Sequence, residues 1–389
     1  MKKKLFFFAL LSYFSICYPA AQNVVKIEVN PKELLYGECK LNDLVESIEY
    51  TPLETNDKCL IGQIANFDIT ERYIVVYCSK SEKIYLFHRN GRFICQVGSR
   101  GGGPGEYLNI TGLFIDEIRN RIIIMSRYQR KQLNYDLKGK FTDDKSMDEK
   151  TADGLYRRMY NDHFFINTLN YNGNVPFAYE IRDFNLQLIT ENIKTVYFEN
   201  PIITMIGSPH NYIYNNKIHT KELSLNDTIY TIENDYSFKP KYIINAGRYE
   251  VTKDLRAESD GPTFLKRSQD YVSFREFYET KDKLLIHYHF GNAISYYAYF
   301  DNNSRKTLYF KSEYGIPNDY DGGLDFWPKR QDNQYCISFY DAYKIKEHKG
   351  NNNQLKPKGS AETISRFEQI YQNLDEEDNP VMVIVKLKK

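Results

Sequence analysis

The sequence predicts an all-β fold, a six-bladed β-propeller with four-stranded antiparallel blades. Three observations predict it: an aromatic, β-branched composition, a self-match at a fixed offset, and a spare strand-like segment at each end of the chain. The 389 residues include 34 Tyr and 24 Phe within a 42% hydrophobic fraction, which suits pleated, half-buried surfaces and excludes a disordered chain or a helical bundle. Fifty-two Lys and Arg against 51 Asp and Glu leave a net charge of +1, so no overall field favours nucleic acid or an anionic membrane.

The self-match carries the fold. Asp68 falls on Asp116, Ile74-Val75-Val76 on Ile122-Ile123-Ile124, Phe87 on Tyr135, Gly91 on Gly139 and Phe93 on Phe141. Each unit reads as an Asp-ended strand, a β-branched strand, an aromatic strand, a tight Gly turn and a final strand, which is a four-stranded meander. Weaker copies follow at His163–Ile166 with Tyr179–Leu188, and at Asn211–Thr220 with Asp227–Ile232 and Lys241–Asn245. A fifth spans Lys283–Phe290, Ala293–Phe300 and Lys306–Phe310, and a sixth begins with Asp325–Gln331 and Gln334–Ile345. The sixth then runs out of strands. Beyond it lie a polar loop (Lys349–Gly359), a helical excursion near 360–374 (Ala361–Leu374) and the apolar strand Val381–Leu387. Ser47–Leu53 is the matching spare strand at the other end, so ring closure is expected by pairing these two.

Ahead of the ring, Lys2–Lys4, an apolar run Leu5–Cys17 and the small residues Ala20 and Ala21 read as a secretory signal over residues 1–21, too short to span a bilayer. Residues 22–389 then form one propeller domain with no transmembrane segment, exported to the periplasm or cell envelope. A lipid-anchored form through Cys17 is the alternative, against which Ile16 stands where a lipobox takes a small residue. The remaining cysteines, Cys39, Cys59, Cys78, Cys95 and Cys336, are odd in number and lack metal-ligand spacing. Cys78 and Cys95 are expected to stay unbonded, because a strand separates them. Pairing of Cys39 with Cys59 is undecided.

Several stretches together carry a family resemblance: Gly98–Tyr107 (Gly-Ser-Arg-Gly-Gly-Gly-Pro-Gly-Glu-Tyr), Leu225–Tyr230 with Lys239–Tyr242, Asp321–Pro328, and Asp378–Val381. They resemble the exported six-bladed β-propeller family of Bacteroidetes, largely of unknown function. The resemblance implies fold and export and no mechanism. Phe14-Ser15-Ile16-Cys17 departs from the cleaner lipobox of many relatives.

In a propeller, links from an outer strand to the next inner strand share a face with the second-to-third-strand turns, and that face holds the ligand. Here it gathers Gly98–Tyr107 with the turns Ser79–Lys83 and Ser126–Lys131. The ligand-binding candidates are Arg100, Glu106 and Tyr107 in the link and Arg127 and Arg130 in a turn, a basic rim suited to an anion or acidic glycan. The link fits neither phosphate-loop pattern. Asp321, Asp325 and Trp327 enter the sixth inner strand, where Trp327, the only tryptophan, is placed to stack on a sugar or to pack between blades. His287 and His289 share a strand face, but two imidazoles are not a site, so no metal and no cofactor is assigned. No catalytic motif is found. The sequence reads as an exported binding or scaffold propeller for a glycan, peptide or envelope protein partner, with a channel-mouth lyase or hydrolase, using a divalent metal, as the alternative.

Overall fold

In the strand Tyr73–Cys78, Ile74 and Val76 point one way and Val75 the other, and both sides are buried; in Arg121–Ser126, Ile122 and Ile124 oppose Ile123 and Met125 in the same manner. A strand alternates its side chains with period two. A run that is apolar at every position therefore needs a neighbour on each face, and each such side chain contributes about 1.5–3 kcal/mol on burial. The apolar clusters accordingly sit between successive sheets: Ile122 and Ile124 pack with Val75 and Leu86, Ile123 with Phe164 and Ile166, and Phe165 and Ile181 with Ile213 and Ile218.

A computed structural model describes residues 24–168, 177–193, 199, 208–222, 227–291, 293–310, 312, 314–348 and 355–389. Met1–Asn23, with Cys17 and the expected signal, lies outside them, as do Leu225, Asn226 and 349–354. Four separate four-stranded antiparallel sheets run in chain order as meanders. They begin with Ile64–Ile69, Gly112–Asp116, Gly154–Tyr160 and Ser273–Glu279. The arrangement is a β-propeller, but the expected six separate blades are not what the sheets count. Of the remaining strands, Ser99–Arg100 and Glu106–Tyr107 pair in parallel as a two-stranded sheet and the other nine merge into one nine-stranded sheet. Its two halves, one containing His210–Tyr214 and the other Arg330–Asp332, meet through a single parallel pair, Ile213 opposite Asp332. Asn333 holds that contact, its N–H donating to the Ile213 carbonyl (2.8 Å) and its Oδ1 accepting from Asn216 N–H (2.8 Å).

The two ends of the repeat region pair as expected: Val45–Pro52 runs antiparallel to Val381–Leu387 with Tyr50 opposite Val383. The repeat holds in detail as well. Asp68 and Asp116 are both buried, and Gly91 (φ +84°) and Gly139 (φ +77°) take the left-handed conformation their turns require.

Other expectations are corrected. The strand expected over Gln334–Ile345 ends at Tyr340, because Ala342 and Ile345 lie one helical turn apart and pack with Phe367 in a helix, Ala342–His348. The helix expected at Ala361–Leu374 forms over Ala361–Asn373, where Ser360 Oγ accepts from Thr363 N–H. The inner strand expected at Asp325–Gln331 shrinks to Arg330–Asp332, since Phe326 pairs instead with Ile316 and Pro328 has no N–H to give a ladder. Sequence reading missed Val25–Glu28, which adds in parallel to Phe238–Asn245, and the helix Gly261–Ser268. Cys39, Cys59, Cys78, Cys95 and Cys336 are free thiols. Among the described residues no helix is long and apolar enough to cross a membrane.

Candidate functional site

The first strands of the sheets stand side by side and line a cavity of about 430 Å³. Each contributes: Asn66 and Asp68, then Thr111, then Arg157 and Arg158, then Ser208 and His210, then Arg275 and Glu276, and finally Lys329 and Arg330. In a regular strand adjacent residues point to opposite faces, so neighbours such as Arg157 and Arg158 should not both reach one cavity. They do so because three of these strands are bulged. The ladder shifts register between Ile64 and Asn66, between Leu155 and Arg158, and between Phe274 and Glu276, at the stretches that line the cavity. A bulge re-aims side chains at the cost of a ladder hydrogen bond.

The charged groups stitch the wall together. Arg330 pairs with Asp68 and, through Nε, with Asp332 Oδ2 (2.8 Å); Arg158 pairs with the other Asp332 oxygen. Asp68 Oδ2 also accepts from Ile115 N–H (2.7 Å), tying the first strands of two sheets together. Among the described residues Arg157 donates to neutral acceptors alone, Thr111 Oγ1 and the carbonyls of Thr151 (2.5 Å) and Ala152 (3.0 Å). Burial, helped by nearby Arg127, pulls its pKa down to about 9. Arg275 and Lys329 form no ion pair among the described residues. Loss of water in the concave wall lowers the Lys329 pKa, and Lys344 adds to the effect.

His210 donates from Nε2 to the Phe277 carbonyl (2.8 Å), which leaves Nδ1 as an acceptor; burial depresses its pKa to about 4, so the ring is neutral. Glu276 Oε2 accepts from Trp327 Nε1 (2.6 Å) and contacts His287 Nδ1 (3.1 Å). Burial opposes its charge, yet these bonds and the neighbouring histidines hold its pKa below the ordinary carboxylate range.

The residues expected to form the ligand face are placed as follows. Arg100 pairs with Glu82 in the turn before Lys83, and Tyr107, 1% exposed, donates its hydroxyl to the Glu82 carbonyl (3.2 Å). Glu106 is turned inward on its own loop, accepting from Gly103 N–H (2.8 Å), while its carbonyl accepts from Gln129 (3.0 Å). The link and both turns thus come together as the propeller geometry requires. The basic rim does not persist as free charge, because Arg127 pairs with Asp153 (2.9 Å), Arg130 with Glu149 (3.5 Å) and Lys131 with Asp144 (3.0 Å).

Asp321 is a buried structural acceptor for Tyr50 OH (2.8 Å), Asn318 Nδ2 (2.8 Å) and Gly323 N–H (2.9 Å). Asp325 accepts from Ser312 Oγ (3.0 Å). Trp327 is enclosed by Tyr278, His287 and Tyr297, so its ring offers no open face to a sugar and reaches the cavity only through Glu276. Cys17 lies outside the described residues. His287 is occupied on both nitrogens, by Glu276 and by Ser295 Oγ (3.3 Å). Among the described residues no group of three or more His, Cys, Asp or Glu is disposed to hold a metal.

The cavity residues themselves escaped sequence reading. Their signal was the doublet: Arg157-Arg158, Arg275-Glu276 and Lys329-Arg330 are adjacent charged pairs in or beside first strands of otherwise apolar sheets.

A family model described as a domain of unknown function, DUF4934, matches residues 23–386. A solved structure from Bacteroides fragilis, described as a "putative exported protein", superposes with a TM-score of 0.67 at 18% identity, covering 94% of this chain and all of that one. A member of the duf4221 family from Bacteroides vulgatus superposes with a TM-score of 0.50 at 10% identity, covering 89% of this chain and 97% of that one. Both likenesses concern the fold. No curated protein matches the chain.

Proposed function

The chain belongs to the DUF4934 family, and from that premise we propose that it is an exported binding propeller whose ligand enters the cavity between the first strands. One observation carries the reading: polar and charged side chains from the four four-stranded sheets and from both halves of the nine-stranded sheet converge on a single space of about 430 Å³, and three strands bulge where they line it. That volume falls within the roughly 300–1,000 Å³ of small-molecule sites. We take the nine-stranded sheet as two blades touching across the axis at Ile213 and Asp332, which brings the count to six, with the Val45–Pro52 and Val381–Leu387 pair as the seal of the ring. Residues 22–389 are one domain in this reading, delivered to the periplasm or cell envelope by the segment before them. Trp327 orients Glu276 in this reading, and Arg100, Glu106, Tyr107, Arg127 and Arg130, which lie outside the cavity lining, serve to hold the Gly-rich link and its neighbouring turns together. The test is an array of saccharides and peptides probed with the wild type and with Ala65→Trp, a cavity-lining exposed position. Capture lost in the variant is the expected result, and capture that survives the blocking side chain overturns it.

A second reading, a hydrolase, draws on the file Glu276, His287 and Ser295, in which an acid in the cavity wall orients an imidazole toward a hydroxyl (3.1 and 3.3 Å) that lies outside the cavity, beside Leu34 and Tyr36. It predicts that the chain hydrolyses an activated ester and that Ser295→Ala abolishes the reaction. Equal rates in the two proteins would sink it.

A further inference from the structure

Counting charge around the cavity narrows the ligand. Arg157, Arg158, Arg275, Lys329 and Arg330 face Asp68 and Glu276 there, with Asp332 behind. Five cations against three carboxylates leave about two positive charges uncompensated. Asp68 and Asp332 are already paired with Arg330 and Arg158, and Glu276 is committed to Trp327 and His287. Glu180 and Asp153 near Arg157 and Asp341 near Lys329 are paired in turn with Arg182, Arg127 and Lys344, so among the described residues no carboxylate forms an ion pair with Arg157, Arg275 or Lys329. The Nε atoms of Arg157 and Arg158 are buried and have no hydrogen-bond partner among the described residues. Unbalanced charge inside a concave wall is costly, and an entering anion relieves it where field lines are focused.

The neutral groups say what else the ligand carries. Asn66, Ser208 and neutral His210, whose Nδ1 is free to accept, line the same cavity as the cations. Such groups exchange hydrogen bonds with hydroxyls, and a bare inorganic anion would leave them and most of the cavity unfilled. Resting on the cavity reading above, we infer that the ligand is an acidic saccharide of one or two rings, its carboxylate or sulfate held by Arg275 and Lys329 and its hydroxyls by Asn66, Ser208 and His210. Arg275 supplies a planar fork suited to a carboxylate or sulfate, and Lys329 a compact point charge in the same wall.

Calorimetry on the full chain tests this with four probes: a glucuronate-containing disaccharide, its carboxyl-reduced neutral counterpart, a sulfated neutral disaccharide, and sulfate alone. The acidic sugars are expected to bind at least 30-fold more tightly than the neutral one, and sulfate alone to give no heat. Arg275→Gln and Lys329→Gln are each expected to weaken the acidic probe at least tenfold, with Arg275→Lys recovering part of the loss. Preference between the uronate and the sulfated sugar identifies the acid group. If acidic and neutral sugars bind equally and Ala65→Trp blocks both, the cavity stands and the acidic class falls. If binding survives Ala65→Trp, the cavity reading itself falls. Sulfate binding as well as the disaccharides overturns the saccharide half, and silence from all four probes overturns the inference.

Discussion

His219 is 2% exposed, stacked on Tyr212 at 4.9 Å, and takes a hydrogen bond from Thr231 Oγ1 to Nδ1 (3.0 Å). Burial, with Lys241 adding to it, depresses its pKa from 6.5 to about 3, and burial likewise depresses His210 to about 4. Because the folded state binds these protons less readily than the unfolded chain, the stability they hold is complete above pH 6.5. It is lost as pH falls from there toward the folded values. For His219 alone the loss between pH 7 and pH 5 is about 2 kcal/mol. Urea unfolding at the two pH values should show that loss, and in His219→Gln the difference between them should shrink by a similar amount. An unchanged pH difference in the variant would mean that His219 titrates normally in the folded protein.

At the scale of elements, the turn closing the first sheet shows how one glycine sets the distance between neighbours. Glu54 N–H donates to the Gly91 carbonyl (2.9 Å), and a Cβ at position 91 would lie 2.0 Å from the Pro52 carbonyl oxygen. Gly91→Ala therefore combines a left-handed φ with a backbone clash and should cost about 3 kcal/mol in chemical denaturation. Gly102→Ala, in the Gly-rich link with open space around it, should cost under about 1 kcal/mol. Equal effects would show that close approach is not what position 91 needs. This turn was legible in the sequence because its requirement is local: Gly91 and Gly139 fall in register and both adopt positive φ. The central strands were legible for the same reason, since their apolar runs declare two buried faces. The cavity was not. Its side chains reach it through bulges, and a bulge abolishes the period-two alternation by which strand faces are read. The pairing of Ile213 with Asp332 within the nine-stranded sheet was equally hidden, because a one-pair contact leaves no periodic trace.

At the scale of the whole molecule, the seam between Val45–Pro52 and Val381–Leu387 is where stability should be lowest. Its two strands pair across more than 300 residues of sequence, and closing a loop of that length carries a large entropic cost. Cys336 reports on this seam, since it lies opposite Val385 in the adjoining strand and is 1% exposed. Burial raises its thiol pKa far above the usual value, so it reacts only after the sheet opens. Cys78, fully buried in the first sheet, reports on opening elsewhere. Val385→Ala removes two methyl groups from a side chain with no exposure and should weaken the seam by about 2 kcal/mol, or roughly 30-fold in the opening equilibrium. If the seam opens on its own, alkylation under native conditions should accelerate at Cys336 by about that factor and at Cys78 far less. Equal acceleration at both thiols would mean that the sheets open together, and the seam would then be no weaker than any other interface in the molecule.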